Sequence, residues 1–233
     1  MIFYSTEISG NRGWLDRDES RHCVKVLRLQ SGDEIEVVDG KGNLYRAEIS
    51  DADSKKCGFL TQKTERDFGK RNFELHIAIA PTKNMDRMEW FVEKTTEIGV
   101  ERIIPILCKN SERRILKNER LERKMISAMK QSKKALLPEL MELQKLDKFL
   151  DQDFNGEKFI AHCHELPKMD LSKVYQKGTN VLVLVGPEGD FSKDELKMAT
   201  SAGFKPVNLS GSRLRTETAG IVACSTINTI NGS

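Results

Sequence analysis

Two short apolar runs, Leu75-His76-Ile77-Ala78-Ile79-Ala80 and Val181-Leu182-Val183-Leu184-Val185, limit what this chain can fold into more than any other feature. Each has strand length, and each is followed by a breaker, Pro81 in one case and Gly186-Pro187 in the other. Both therefore read as buried strands. Helical spacing follows the first run: Met85, Met88, Phe91, Val92, Thr95 and Ile98 share a face, and Gly99 suits the C′ position. Further strands are expected over 102–107, 158–163 and 206–209, with helices over 118–134, 193–202 and 216–230. This alternation predicts an α/β domain with a mainly parallel sheet for the C-terminal two-thirds.

The first 66 residues read differently. Gly32-Asp33 makes a turn, residues 34–38 alternate polar and apolar, and Asp39-Gly40-Lys41-Gly42 turns the chain into a partner strand over 44–49. Another strand is expected over 58–64. Several short strands with tight turns predict a small β-barrel. The polar stretch from Glu65 to Arg71 is the candidate linker, which divides the chain into domains 1–68 and 72–233.

Composition narrows the function classes. Hydrophobic residues make up 38% of the chain, enough for a packed core. No apolar run approaches the length of a bilayer span, and Met1-Ile2-Phe3-Tyr4 turns polar at Ser5, so neither an export signal nor a membrane role is expected. The five cysteines are scattered and never spaced Cys-x-x-Cys, which suits a reducing, cytoplasmic setting. His162-Cys163-His164 is the one metal-like cluster. It has no second ligand pair, so no metal is expected and a strand end is the preferred reading. Between Lys109 and Lys134 ten Lys/Arg face three Asp/Glu, a net +7 in a chain of net +3. Such a segment suits either a phosphate-binding surface or an ordinary solvated helix face.

Two strand-to-helix loops carry the chemical signal, because ligands of parallel α/β sheets bind beyond the carboxyl ends of strands. The first is Gly186-Pro187-Glu188-Gly189-Asp190-Phe191-Ser192, where Ser192 and Glu195 form a capping box for the next helix. It lacks the spacing of a dinucleotide fingerprint and of a P-loop. The second runs from Leu209 through Gly211, Arg213, Leu214 and Arg215 to Thr216 and Glu217. Thr216 is a good N-cap and Glu217 suits the first turn. Two arginines just before a helix N-terminus do not suit it, and are better understood as holding an anion.

At these loops the sequence resembles the 16S rRNA uridine-N3 methyltransferases of the SPOUT, or α/β-knot, superfamily. Gly186-Pro187-Glu188-Gly189 and Leu214-Arg215-Thr216-Glu217-Thr218-Ala219 resemble the family's most specific signatures. The segment from Arg21 to Leu29, with Gly32-Asp33 and Asp39-Gly40-Lys41-Gly42, resembles its PUA-like RNA-binding domain. Pro81-Thr82-Lys83, Asp86-Arg87, Lys94 and Glu97-Ile98-Gly99 resemble its first strand-helix unit, and Gln131-Ser132 and Pro138-Glu139 its segment after the basic helix. Asp190 stands where a second glycine is common, and Gly211 lies one position later than usual.

The resemblance implies an α/β fold in which a C-terminal trefoil-knot domain with a mainly parallel sheet follows a PUA-like β-barrel. It implies S-adenosyl-L-methionine as cofactor, 16S rRNA or the small ribosomal subunit as partner, and a homodimer through the knot domain. The cofactor would contact Gly186, Pro187, Glu188, Gly189, Leu209, Gly211, Leu214, Arg215 and Thr216. Arg215 is the candidate for charge developing on the uracil. Glu188 and Glu217 are candidate general bases, with helix capping or loop ordering as the other reading of each. Arg21, Lys25 and Arg28, with Lys83, Arg87, Arg113, Arg114, Gln131 and Lys134, would contact the RNA. The alternatives are methylation of another rRNA or tRNA site, a non-catalytic RNA-binding assembly factor, and a nucleotide-dependent enzyme of ordinary doubly wound fold.

Overall fold

The computed structural model describes residues 1–232, which form two compact units. The first comprises Met1–Lys70 with Ile126–Leu137, and the second comprises Arg71–Met125 with the chain from Pro138 onward.

In the first unit, strands β1 (Ile2–Tyr4), β2 (Glu7–Ser9), β3 (Arg12–Trp14), β4 (Glu34–Val38), β5 (Leu44–Asp51) and β6 (Gly58–Glu65) form one mixed sheet. Its order is β1-β4-β5-β6-β3-β2, with β1 parallel to β4 and the remaining pairs antiparallel. The expected barrel takes the form of a curled half-barrel. Two register shifts between β5 and β6, at Arg46/Ala47 and Ile49/Asp51, supply the local bend. Phe3, Leu15, Ile35, Val37, Ile49 and Phe59 fill its concave side. Helix α1 (Arg17–Arg21), capped by the Asp16 carboxylate on the Glu19 amide at 2.8 Å, continues into a π-helical turn over His22–Val26. The later segment Ile126–Leu137 completes the unit. Met129 and Ala135 pack on Val38 and Leu44, the Lys130 ammonium pairs with Glu19, and Leu137 donates to the Gly40 carbonyl at 2.9 Å.

The second unit alternates strand and helix. It begins with β7 (Leu75–Ile79), α2 (Met85–Ile98), β8 (Arg102–Leu107) and α3 (Asn118–Gln131), whose last turns belong to the first unit. The short β9 (Glu139–Leu140), β10 (Gln144–Lys145) and α4 (Leu146–Leu150) follow. Then come β11 (Glu157–Ala161), β12 (Met169–Asp170), α5 (Leu171–Val174), β13 (Val181–Val185), α6 (Lys193–Ser201), β14 (Lys205–Asn208) and α7 (Thr216–Asn231). The strands form one sheet in the order β10-β8-β7-β13-β11-β14-β12, with β9 beside β8, and every pairing is parallel. The main strands lie close to their sequence-derived limits, and the predicted α3 stops three residues early, before Lys133 adopts φ +55°. The short elements β1–β3, α1, β9, β10, α4, β12 and α5 have too few residues to show a period.

Both faces of the sheet are covered, which is why its central strands are apolar throughout. Ala78, Ile104, Ile160, Leu182 and Leu184 point to one face, against Leu146 and Phe149 of α4 and Leu196 and Ala199 of α6. The alternate residues point to the other face, where Ile79 meets α7 at Gly220. The sequence-predicted devices are present at the helix ends: Gly99 closes α2 at φ +128°, and Ser192 and Glu195 form a reciprocal capping box on α6. Arg71, read from sequence as linker, belongs to this unit. Its guanidinium forms a largely buried pair with Glu101 and also reaches Asn228 of α7, while Glu101 accepts the Leu75 amide at 2.7 Å. Among the described residues no helix is long and apolar enough to cross a membrane.

Gly220 is where α7 approaches closest. A Cβ there would lie 2.4 Å from the Phe91 ring and 3.2 Å from the Ile79 methyl, and both residues are fully buried. Gly220→Ala gains about 1 kcal/mol of helix propensity but overpacks a contact that has no room to yield, at about 1–3 kcal/mol. The clash is expected to win. The urea midpoint of Gly220→Ala should fall with an unchanged m value, and a midpoint at or above wild type would mean that α2 and α7 separate freely.

Candidate functional site

The strand register decides where the site is. Ile79 of β7 stands opposite Val185 of β13, Val185 opposite Ala161 of β11, and Ala161 opposite Val207 of β14. Four strands therefore end on one row, and the chain leaves the sheet there after each. Three of those exits enclose a cavity of about 550 Å³. Residues 161–163 and 168 supply one wall, 185–188 and 190 a second, and 207–210 with 212–216 a third, completed by Ala219 of α7.

The second wall is a tight turn. A Cβ on Gly186 would come within 2.9 Å of the Phe191 ring, so only glycine lets the chain fold back over that buried side chain. Asp190 closes the turn, its amide donating to the Pro187 carbonyl at 2.9 Å with φ at +60°. A positive φ of this kind is one that glycine adopts without strain. The aspartate tolerates it because its carboxylate accepts the Phe191 and Cys163 amides at 2.8 and 2.9 Å. The same bonds tie the second wall to the first. Glu188 lines the cavity, but its Oε1 accepts the Lys83 amide at 3.0 Å. Gly189 points away, toward Asn110, whose amide donates to the Gly189 and Asp190 carbonyls.

The third wall carries the charge. Arg213 and Arg215 are exposed and line the cavity, and Arg215 occupies the N-cap position of α7 with no side-chain cap. The expectation that Thr216 caps this helix is corrected. Thr216 is already its first residue, and its buried hydroxyl donates instead to the Gly186 carbonyl at 3.0 Å. That bond joins the second wall to the third. Leu209 and Leu214 line the cavity, whereas Gly211 is exposed, and a Cβ there would meet nothing within 4 Å. Glu217 is not a lining residue. Its carboxylate is buried, with Oε1 3.8 Å from the Arg87 guanidinium and Oε2 without a hydrogen-bond partner.

The first wall is built from what the sequence presents as a plain strand end. β11 stops at Ala161, so His162 and His164 lie beyond it. His162 is buried in the cavity lining, while His164 Nε2 lies 2.7 Å from the Phe191 carbonyl. Among the described residues no group of three or more His, Cys, Asp or Glu side chains is arranged to hold a metal ion. Lys168, also a lining residue, spends its ammonium on the His162 and His164 carbonyls at 2.9 and 3.0 Å. The sequence signal for this wall is the adjacency of β11 to β13 and β14, which no local pattern carries.

Much of the basic segment is committed within the fold. Arg113 donates through Nε to the Thr82 carbonyl at 3.0 Å and through its terminal nitrogen to the Lys83 carbonyl. It thus steadies the segment that holds Glu188. Arg120 pairs with Glu89 and Asp86, and Lys124 lies 3.8 Å from Glu93. Lys83 pairs with Glu112 at 2.8 Å, which raises its pKa above the ordinary lysine value. Arg114 and Gln131 are exposed, and Lys134 is half-buried. In the first unit Arg21, Lys25 and Arg28 are exposed on and just after the helical turns, with Arg28 at φ +59°.

Comparison with known proteins defines the class. Residues 69–228 match the RNA methyltransferase domain family, and residues 15–58 match the RNA methyltransferase PUA domain family. A ribosomal RNA small subunit methyltransferase E from Aquifex aeolicus is 31% identical over 223 residues, covering 94% of each chain. The chain belongs to this ribosomal RNA small subunit methyltransferase E family. The crystal structure of a probable rRNA-methyltransferase from Porphyromonas gingivalis is 43% identical with a TM-score of 0.93, covering 99% of this chain and 98% of that one. The Neisseria gonorrhoeae ribosomal RNA small subunit methyltransferase E, solved bound to S-adenosyl methionine, is 26% identical with a TM-score of 0.84, covering 98% of this chain and 96% of that one.

The bond from Thr216 to Gly186 is testable in isolation. Thr216→Val keeps the shape and removes the hydroxyl, leaving a buried carbonyl unpaired at about 1–3 kcal/mol. Its melting temperature should fall, whereas Thr216→Ser should stay close to wild type. Equal stability of all three proteins would mean that the two walls are not held by this bond.

Proposed function

We propose that the chain binds S-adenosyl-L-methionine in the three-walled cavity and methylates N3 of one uridine in 16S rRNA within the small ribosomal subunit. The observation that carries this reading is the cavity itself, closed by Gly186, Asp190 and Thr216 and flanked by Arg213 and Arg215, in a chain of this family. Its volume, about 550 Å³, suits a nucleoside-sized ligand. Its walls combine apolar groups (Val185, Leu209, Leu214 and Ala219) with a buried imidazole whose ring nitrogens have no partner in the protein. Both features fit a cofactor that is part heteroaromatic and part charged, such as the one bound by the Neisseria gonorrhoeae relative.

When bound, S-adenosylmethionine supplies an electrophilic methyl group on sulfonium. The chain's contribution is placement and charge. Gly186 and Pro187, with Leu209 and Leu214, shape the two sides of the ligand, and Thr216 keeps those sides at a fixed spacing. Arg215, exposed at the cavity edge, would meet the uracil and stabilise the negative charge that the uracil oxygens gain as N3 gives up its proton to solvent. Glu188 orders the wall through the Lys83 amide, and Glu217 holds the start of α7 beside Arg87. We assign these glutamates positioning roles ahead of base catalysis.

We further infer that the first unit contributes RNA phosphate contacts through Arg21, Lys25 and Arg28, with Gln131 and Lys134, and that the second contributes them through Lys83, Arg87 and Arg114. Arg113 acts there through the backbone it holds. Such contacts position an RNA without reading its sequence, so the choice of uridine rests on the folded shape of the ribosomal RNA. The return of α7 onto α2 and β7 fits a knotted path, and the same domain is the proposed homodimer surface of a cytoplasmic enzyme.

The test is methyl transfer from labelled S-adenosylmethionine to small subunits lacking native uridine-N3 methylation, followed by nucleoside mass spectrometry. We expect 3-methyluridine at one site, and a turnover number about 10²–10³ lower in Arg215→Ala with cofactor affinity retained. A different methylated nucleoside would replace the specificity. Transfer to no RNA by a protein that binds the cofactor would favour a non-catalytic assembly factor.

A further inference from the structure

His162 is the first residue beyond β11, between the exits of β13 and β14, and its side chain lines the cavity. The residue is 8% exposed, and neither Nδ1 nor Nε2 has a hydrogen-bond partner. Buried polar groups in folded proteins are almost always paired, because a lost hydrogen bond to water must be replaced.

The polar neighbours do not replace it. The Lys168 ammonium is held by the His162 and His164 carbonyls. The Asp190 carboxylate is held by the Cys163 and Phe191 amides, and the His164 ring faces the Phe191 carbonyl. None of them bonds the ring, which lines the cavity, so its two nitrogens are left open to what the cavity holds.

The chemistry of that partner follows from the state of the ring. Burial, followed by the Lys168 charge, lowers the imidazole pKa, with Asp190 opposing. The ring is therefore neutral near neutral pH and offers one N–H donor and one bare nitrogen acceptor. Such a pair complements a neutral group that also both donates and accepts, such as a nucleobase edge or a sugar hydroxyl. It is a poor match for a carboxylate, which only accepts and has Arg213 in the third wall to meet it.

We propose that His162 is a cofactor-recognition residue whose imidazole hydrogen-bonds the nucleoside half of S-adenosylmethionine at the end of β11. This assignment rests on the cofactor reading above and extends it to a residue outside both signature loops.

Calorimetry on the full chain distinguishes the two. Wild type, His162→Ala and His162→Gln would be titrated with S-adenosylmethionine, S-adenosylhomocysteine and methylthioadenosine, which lacks the amino-acid group. His162→Ala should weaken all three ligands by a similar factor, about tenfold or more. His162→Gln, which keeps a donor and an acceptor, should recover part of the loss. In wild type, the imidazole nitrogen resonances that are missing from His162→Gln should shift on addition of methylthioadenosine, a readout that a purely structural role would not move. Unchanged affinities in His162→Ala, or a loss confined to the ligands that carry the amino-acid group, would overturn the assignment while leaving the cofactor reading intact. A wild-type protein that binds none of the three would overturn both.

Discussion

The in-register parallel pairing of β7, β13, β11 and β14 is the constraint on which the rest of the second unit depends. Parallel strands must each be followed by a crossover, and here Ile79, Val185, Ala161 and Val207 end on one row. The turns that leave that row converge whatever their sequence separation. Residues 162, 186 and 209, far apart along the chain, therefore share one cavity. Burial of both sheet faces holds the row in place, because slipping a strand by one residue would exchange the sides against which its apolar residues pack.

The row creates the cavity, and a few side-chain-to-backbone bonds give it shape. Thr216 reaches the Gly186 carbonyl, Asp190 accepts the Cys163 amide, Glu188 accepts the Lys83 amide, and Arg113 holds the Thr82 and Lys83 carbonyls. Each joins segments that are distant in sequence. Residues that look chemical in a sequence thus act as fasteners, and those left facing the cavity with uncommitted polar atoms are fewer. The same holds for the basic segment, where Arg120, Lys124 and Lys130 neutralise acidic partners and leave a smaller exposed charge than the count suggests.

The legible part of the fold consists of elements with enough residues to show a period or a cap. The limits of β4, β8 and β13 and the start of α2 follow from apolar spacing and breakers, and the α6 capping box follows from Ser192 and Glu195 alone. Two-residue strands such as β9, β10 and β12 carry no such signal, since their existence depends on a neighbour's edge. At the site, Arg213 and Arg215 are visible because a cation is unusual just before a helix N-terminus, and Gly186 and Leu214 because they stand in the two signature loops. His162 is not, because an isolated histidine after a strand looks the same whether it faces solvent or a cavity.

The sequence by itself determined the alternation of strand and helix, the β-rich segment before it, the two signature loops and their family, because each rests on local periodicity or on contiguous residues. Only the tertiary structure decided which strands are neighbours, and with that which side chains meet the ligand space. It gave segment 126–137 to the first unit, turned the Thr216 hydroxyl from a cap to a cross-link, and set Glu217 against Arg87. The physical reason is the same in each case. A side chain's partner is fixed by packing and by the need to satisfy buried polar groups, and both depend on residues that the local sequence does not contain.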